Sequence, residues 1–134
     1  MPRIEIPFEV IGWEPGESGV PGAGPEVARA TVKKTFRGVL AGESTAGLLM
    51  CAVDAKNLAA GAGYVAMERF VGTLSGRTGT FVYQHVGLGG PGIEPSTDGH
   101  IVPGTGTGEL AGITGTAEIR TDGGHRLILD YELP

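Results

Sequence analysis

Paired glycines recur at nearly even intervals along the chain, and they restrict its fold more than any other feature of the sequence. The pattern Gly-x-Leu-x-Gly occurs at 38–42 (GVLAG), 72–76 (GTLSG) and 108–112 (GELAG), so successive copies begin 34 and 36 residues apart. A helix tolerates such pairs poorly, because each glycine costs it about 1 kcal/mol relative to alanine. Tight turns and bulges between strands need glycine. The repeat therefore predicts three corners between antiparallel strands.

The segments between these corners have the composition of strands. About eight are predicted, near 4–11, 28–40, 45–53, 63–74, 79–87, 100–110, 114–120 and 125–133. In the last of them Leu127, Leu129 and Tyr131 form one row, and Arg126, Asp130 and Glu132 lie on the other face, which is typical of a strand with one buried face. The Asp-Gly of TDGG, at 121–124, predicts a two-residue hairpin before it.

An open sheet of this kind leaves unpaired strands at its two edges, and closing the sheet on itself pairs them. The predicted fold class is therefore all-β, an eight-stranded antiparallel up-and-down β-barrel. The length of 134 residues predicts a single domain over 1–134. Two Gly/Pro-rich segments, 12–27 and 87–99, are predicted to be loops that either cover the barrel ends or are disordered. The stretch DAKNLAA, at 54–60, predicts a short helix with Asp54 as its cap.

Charge and motif spacing exclude several function classes. The net charge is −5 and the basic residues are scattered, so no basic stripe exists to bind nucleic acid. The longest apolar run, AGLLMCAV at 46–53, is too short to span a membrane, and the N-terminal segment does not read as a signal peptide. The single cysteine permits no internal disulfide. These observations predict a cytoplasmic protein with neither a nucleic-acid nor a membrane partner.

Neither a metal nor a cofactor is expected. The histidines, His85, His100 and His125, are too far apart in sequence for a local metal motif. GLGGPG, at 87–92, matches a dinucleotide fingerprint, but Pro91 and the residues after it cannot supply the helix that would hold a pyrophosphate. Ser44 lies at a corner without the strand-to-helix turn that hydrolases use.

Charged residues in apolar rows are the informative candidates. Glu68 shares a strand face with Tyr64 and Phe70, and His85 shares one with Tyr83 on the next strand. If both faces point inward, a carboxylate and an imidazole lie in one enclosure. An unpaired buried carboxylate costs several kcal/mol, so Glu68 must have a partner, a raised pKa, or contact with solvent or ligand.

Two hypotheses for Glu68 remain open at this point. It forms either a structural ion pair, with Lys34 or Arg69, or an acid/base or binding pair with His85. The functional hypothesis predicts that Glu68→Gln abolishes ligand retention while the melting temperature changes by only a few degrees. A collapse in stability supports the structural hypothesis. A shift of one residue in register would instead put Arg69 and Gln84 inside.

The third and fourth predicted strands are apolar on both faces, as GLLMCAV and YVAM show. A single-layer barrel needs only one apolar face. The second face predicts that another subunit or a loop covers it, and hence a homodimer or higher homo-oligomer.

GTLSGRTGTFVYQHVG, VPGTGTGELAGITGT and the ending LDYEL together resemble an uncharacterised bacterial family of single-domain proteins of this size, grouped with the allene oxide cyclase-like barrels. The resemblance extends from about residue 8 to the end. It implies an eight-stranded antiparallel barrel with a small central cavity that associates into oligomers. The better-studied cyclases and dirigent proteins of that class steer an apolar or phenolic intermediate, but none of their catalytic motifs matches here, so their reaction transfers only by analogy of fold.

Three functions follow as hypotheses. The first is a barrel that binds a small, largely apolar or phenolic molecule, lined by Tyr64, Glu68, Tyr83, His85 and Tyr131. The second is an isomerase or cyclase in which Glu68 or His85 moves a proton. The third is an oligomeric scaffold without a cavity, so whether the chain is an enzyme stays open.

Overall fold

The computed structural model describes residues 2–17, 19–121 and 123–134, and within them the fold is all-β and antiparallel. The strands are β1 (Arg3–Pro15), β2 (Val27–Phe36), β3 (Leu40–Ala52), β4 (Ala62–Leu74), β5 (Arg77–Gly90), β6 (Ile93–Ile101), β7 (Thr107–Gly108), β8 (Thr114–Arg120) and β9 (Arg126–Glu132). A 3-10 turn (Leu58–Ala60) lies between β3 and β4. No helix in the described residues is long and apolar enough to cross a membrane.

The strand pairings form a ring. Hydrogen-bonded neighbours follow the order β4-β3-β2-β1-β9-β8-β6-β5, and β5 pairs again with β4, so the ring passes through eight strands. Its weakest joint is between β6 and β8, where the part of the chain that the structure describes has one ladder pair, His100–Thr116. The Thr97 hydroxyl reinforces that joint, because it both accepts from the Ile119 amide and donates to the Ile119 carbonyl.

Two of the three predicted glycine corners are hairpins. GVLAG spans the turn between β2 and β3, and GTLSG forms the tight turn between Leu74 and Arg77. Ser75 and Gly76 have φ values of 51° and 80°, which fits a primed two-residue turn with positive φ at both central positions. The third prediction was wrong, because GELAG lies between β7 and β8, which do not pair with each other.

Glycines also let β3 and β4 approach closely. Gly42 and Gly72 pair directly across the two strands. A Cβ built on Gly72 would lie 2.1 Å from the Ala41 carbonyl oxygen and 2.9 Å from the Phe70 ring. The Ala41 backbone and the buried Phe70 ring occupy the space that a side chain at this position would need. The two glycines therefore allow the sheet to bend closely over the core.

Substituting Gly72 by alanine is expected to destabilise the protein by roughly 1–3 kcal/mol, because the new methyl group overlaps backbone atoms that cannot move freely. Gly47→Ala on β3 is the matched control, since nothing lies within 4 Å of a Cβ there. Urea unfolding followed by circular dichroism measures both. Equal stability of the two variants would contradict the close approach of β3 and β4.

The prediction of a strand at 100–110 and a loop at 87–99 was wrong. β5 continues to Gly90, turns at residues 91–92 and returns as β6, which ends at Ile101. Beyond that end, side chains supplement the backbone pairing with β5. Thr105 Oγ1, Thr107 Oγ1 and Glu109 Oε1 accept hydrogen bonds from the β5 amides of Val82, Thr80 and Thr78. Pro103 and Gly104 interrupt the strand, and these oxygens satisfy the backbone that it leaves unpaired.

Other boundaries also differ from the predictions. β1 reaches Pro15, so the segment predicted as a loop at 12–27 is shorter. β8 and β9 last pair at Arg120 and Arg126, which makes their connection longer than two residues, and Asp122 lies outside the described residues. The predicted helix is only the 3-10 turn, and its N-cap is Asn57 rather than Asp54. Asp54 instead accepts a hydrogen bond from the Lys56 amide.

The apolar core fills one end of the ring. It contains the buried phenylalanines Phe8, Phe36, Phe70 and Phe81 together with aliphatic residues from β1, β6, β8 and β9. The loop between β7 and β8 adds Leu110 and Ile113, both 0 % exposed, which close that end. The opposite end is lined by smaller and more exposed residues, and polar groups lie between the two ends.

The outer surface of β4 and β5 carries exposed apolar side chains, whereas the two-sided composition predicted them on the third and fourth strands. Four of these side chains are about half exposed: Val65, Met67, Val86 and Leu88. Leu49, Val65 and Val86 form one cross-strand row on this surface. The homo-oligomer inferred from these strands stays a prediction.

Candidate functional site

The inward faces of β2, β3, β4 and β5 form a regular lattice of cross-strand rows. From the apolar end outward, the rows are Lys34–Ser44–Phe70–Phe81, then Val32–Ala46–Glu68–Tyr83, then Ala30–Leu48–Ala66–His85, then Ala28–Met50–Tyr64–Gly87. Each successive row contributes one or two polar side chains. The lattice thus places a chain of hydrogen-bonding groups along the ring axis, from its sealed end toward its open end.

Glu68 is the centre of this polar chain and is 0 % exposed. Its Oε1 accepts a hydrogen bond from Lys34 Nζ at 3.0 Å and lies 2.8 Å from His85 Nε2. Its Oε2 accepts a hydrogen bond from the Ser44 hydroxyl. Lys34 also lies over the Phe8 ring, with Nζ 4.6 Å from the ring centroid, which is the geometry of a cation–π contact.

These partners determine the ionisation of Glu68. Burial alone would raise its pKa, but the hydrogen bond from His85, the charge of Lys34 and the hydrogen bond from Ser44 outweigh burial and lower the pKa to about 2. Glu68 is therefore a carboxylate at neutral pH. With Lys34 it forms a buried ion pair next to the apolar core.

His85 connects the ion pair to the next row. Its Nε2 faces Glu68, and its Nδ1 lies 2.9 Å from the Tyr64 hydroxyl. The imidazole stacks on the Tyr83 ring and meets the Tyr64 ring edge to face, with centroids 5.5 and 5.4 Å away. These two aromatic contacts fix the imidazole plane, so both ring nitrogens keep their partners.

Tyr64 is the outermost member of the chain and only half-buried. Its ring lies against Gly87 of β5, where a Cβ would come within 2.4 Å of the tyrosine ring. Gly87 therefore makes the space in which Tyr64 reaches His85. Burial, with a smaller contribution from the Glu68 charge, raises the pKa of Tyr64 to about 12, so the side chain stays a neutral hydroxyl.

Tyr83 is fully buried beside Glu68. Burial, followed by the Glu68 charge, raises the pKa of Tyr83 well above its usual value. Its hydroxyl is close enough to Glu68 to interact electrostatically, yet it makes no hydrogen bond of ordinary geometry within the described residues. Tyr83 thus contributes a rigid wall for His85 and an unused polar atom in the interior.

A pocket of about 430 Å³ opens at the Tyr64 end of the ring. The inward-facing Ala28, Met50, Ala62, Tyr64 and Gly87 line it, and the connection between β3 and β4 adds Leu58. The volume lies in the range of pockets that hold small organic ligands. Tyr64 links this mostly apolar pocket to His85 and Glu68 below it.

Four of the five predicted site residues, Tyr64, Glu68, Tyr83 and His85, come together here, and the fifth does not. Tyr131 belongs to the apolar core and lines a separate pocket near the C-terminus. Sequence reasoning identified Lys34 as a possible partner of Glu68 but missed Ser44 as the other. The signal that would have placed Ser44 inside is its spacing, because Ser44, Ala46 and Leu48 follow one another at a period of two on the same face of β3.

The described residues contain no group of three or more histidine, cysteine, aspartate or glutamate side chains that could hold a metal ion. The polar atoms of the site are already bonded to one another, because both oxygens of Glu68 and both nitrogens of His85 have protein partners. These bonds connect Lys34, Ser44, Glu68, His85 and Tyr64 in one hydrogen-bonded network.

Comparison with known proteins places the chain among uncharacterised relatives. Residues 4–133 match the model of a family described as "Protein of unknown function (DUF3224)". A crystal structure of a DUF3224 protein of unknown function from Shewanella oneidensis MR-1 is similar, with 32% identity and a TM-score of 0.86, covering 100% of this chain and 98% of that one. No curated protein matches the chain.

Proposed function

We propose that this chain, which belongs to the DUF3224 family of proteins of unknown function, binds a small and mostly apolar molecule in the pocket at the Tyr64 end of its ring. The supporting observation is the hydrogen-bonded chain of Glu68, His85 and Tyr64, which rises from the sealed interior and ends at that pocket. A merely structural ion pair needs no connection to a pocket. Here the hydrogen bond between His85 and Tyr64 positions the Tyr64 hydroxyl, which is a polar group of the pocket.

The geometry of the pocket determines what it can hold. Its lining consists mainly of alanine, glycine, methionine and leucine side chains, which contribute shape rather than hydrogen bonds. Small ligand sites are commonly apolar clefts with few, well-placed polar groups. The packed phenylalanines near Lys34 limit the ligand to the outer rows of the lattice.

A second function, proton transfer in an isomerase or cyclase, is favoured by one observation. His85 is held between a carboxylate and a hydroxyl, as a base is held in catalytic triads. The low pKa of Glu68 makes that residue a poor proton acceptor, so His85, acting through Tyr64, is the acid/base candidate. Catalysis requires conversion of the bound molecule, whereas binding alone leaves it unchanged.

The binding function is tested with N-phenyl-1-naphthylamine, an apolar dye whose fluorescence rises in apolar sites. Saturable binding is expected for the wild type. Ala62→Leu should weaken it by at least about fivefold, because Ala62 lines the pocket and the larger side chain occupies its volume. Native mass spectrometry of freshly purified protein shows in addition whether a small molecule is retained.

The control is Ala111→Leu, the same change at an exposed position in the loop between β7 and β8. This variant should bind the dye like the wild type. If Ala62→Leu also binds like the wild type, the dye occupies another surface, such as the exposed apolar face of β4 and β5, and the pocket is not the binding site.

The finer architecture belongs to the same proposal. The ring of eight strands supports a closed barrel of the allene oxide cyclase-like class, whose interior holds one ligand. The exposed apolar side chains on β4 and β5 support association with further copies of the chain. Cytoplasmic residence, inferred from the sequence, is part of this proposal too.

A further inference from the structure

The direction of the hydrogen bonds between Glu68 and Tyr64 follows from the ionisation of Glu68. A carboxylate can only accept hydrogen bonds, so His85 Nε2, at 2.8 Å, must carry a proton and donate it to Oε1. The first bond of the chain therefore points inward. What happens at Nδ1 depends on whether the imidazole is neutral or charged.

Charge balance selects the neutral imidazole. Glu68 and Lys34 cancel one another, and both are buried, with exposures of 0 % and 6 %. A cationic His85, itself 3 % exposed, would add an uncompensated charge to this interior. The other titratable groups that face it, Tyr64 and Tyr83, are neutral hydroxyls and cannot compensate it.

A neutral His85 with its proton on Nε2 leaves Nδ1 as an acceptor. The Tyr64 hydroxyl, 2.9 Å away, then donates its only proton to Nδ1. The Tyr64 oxygen is left with lone pairs alone to offer the pocket. A tyrosine hydroxyl usually donates or accepts, but this one is restricted to accepting by a chain of bonds fixed at Glu68.

We infer that the pocket selects mostly apolar molecules that present an O–H or N–H donor to Tyr64, over molecules that present a carbonyl, ether or carboxylate oxygen. This inference rests on the proposed binding function. The carboxylate of Glu26, which also lines the pocket, adds a second acceptor and disfavours acidic ligands. Among the described residues, the buried cation is Lys34, which lies two rows below His85 and is paired with Glu68, so it does not attract an acid.

The inference is tested by isothermal titration calorimetry with 2-naphthol and 2-methoxynaphthalene. The two probes have the same ring system, and both carry an oxygen acceptor, but only 2-naphthol carries a donor. The wild type is expected to bind 2-naphthol roughly tenfold more tightly, the effect of one net hydrogen bond. Tyr64→Phe should reduce 2-naphthol affinity to that of the ether and leave the ether's affinity unchanged.

The outcomes separate this inference from the proposed function. Equal affinity of both probes for the wild type, or 2-naphthol affinity that survives Tyr64→Phe, would overturn donor selection and leave the pocket as a binding site. Binding of neither probe, with Ala62→Leu and the wild type indistinguishable toward the dye, would overturn both. Preferential binding of the ether would also overturn donor selection, because the apolar contact of its methyl group would then outweigh any hydrogen bond to Tyr64.

Discussion

Replacing Glu68 by glutamine is expected to lower the free energy of unfolding by roughly 3–5 kcal/mol, the usual effect of removing one partner from a buried ion pair. Glutamine keeps the shape of the side chain but removes the charge that balances Lys34, which is 6 % exposed. Lys34 must then stay charged without a counter-ion or lose its proton. Urea unfolding at pH 7, monitored by circular dichroism, gives the difference from the wild type.

An exposed ion pair supplies the matched control. Glu118 and Arg120 lie 3.1 Å apart with side chains 39% and 44% exposed. Glu118→Gln should change stability by less than about 1 kcal/mol, because solvent screens such pairs. A second variant isolates the unpaired charge: Lys34→Met combined with Glu68→Gln should be more stable than Glu68→Gln alone.

The result decides between the two roles considered for Glu68. A large loss of stability makes Glu68 a structural anchor that orients His85, and leaves Tyr64 as the group that meets a ligand. A Glu68→Gln protein within about 0.5 kcal/mol of the wild type would contradict the structural role of the Lys34 pair. Ligand contact at Glu68 would then become the better explanation of its burial.

The sequence was sufficient to predict the polar chain because alternation specifies faces. Once GTLSG was interpreted as the turn between β4 and β5, the period of two put Glu68 and His85 on one side, and the observed register places them in adjacent rows. Lys34 was predictable for the same reason, as a charge within an apolar row of β2. Tyr131 was also placed on an inward face, and this was correct.

Distance along the ring axis could not be predicted from alternation. Tyr131 and Tyr64 both face inward, but they lie at opposite ends, since Tyr131 packs with the apolar core and Tyr64 lines the open pocket. Row assignments depend on the register of every intervening strand, including β6 and β8, which meet at a single pair. No local signal in the sequence specifies that joint.

The high glycine content led to wrong predictions of where the strands end. The run at 87–99 was predicted as a loop, whereas Gly87 makes space for the Tyr64 ring and Gly99 lies between backbone oxygens of Gln84 and Ala117. Glycine marks close approach within strands as readily as it marks a turn. The two uses look alike in one sequence, and only the packing partner distinguishes them.

Acidification should remove the stability that the Glu68 interactions provide, over a window set by its pKa values. The pKa is about 2 in the folded protein, against an ordinary value of 4.5. Because the folded pKa is the lower one, the contribution is complete above pH 4.5 and is lost as the pH falls toward 2. A difference of this size corresponds to about 3 kcal/mol.

Comparison of the wild type with Glu68→Gln isolates this contribution from those of other carboxyl groups, which titrate in both proteins. The stability difference between the two should be largest above pH 4.5 and should shrink by about 3 kcal/mol as the pH approaches 2, because a protonated Glu68 is neutral like glutamine. Urea unfolding at intervals from pH 5 to pH 2.5 measures it. A difference that stays constant over that range would mean that Glu68 has the same pKa folded and unfolded, and that the interactions with Lys34, His85 and Ser44 only offset the effect of burial instead of outweighing it.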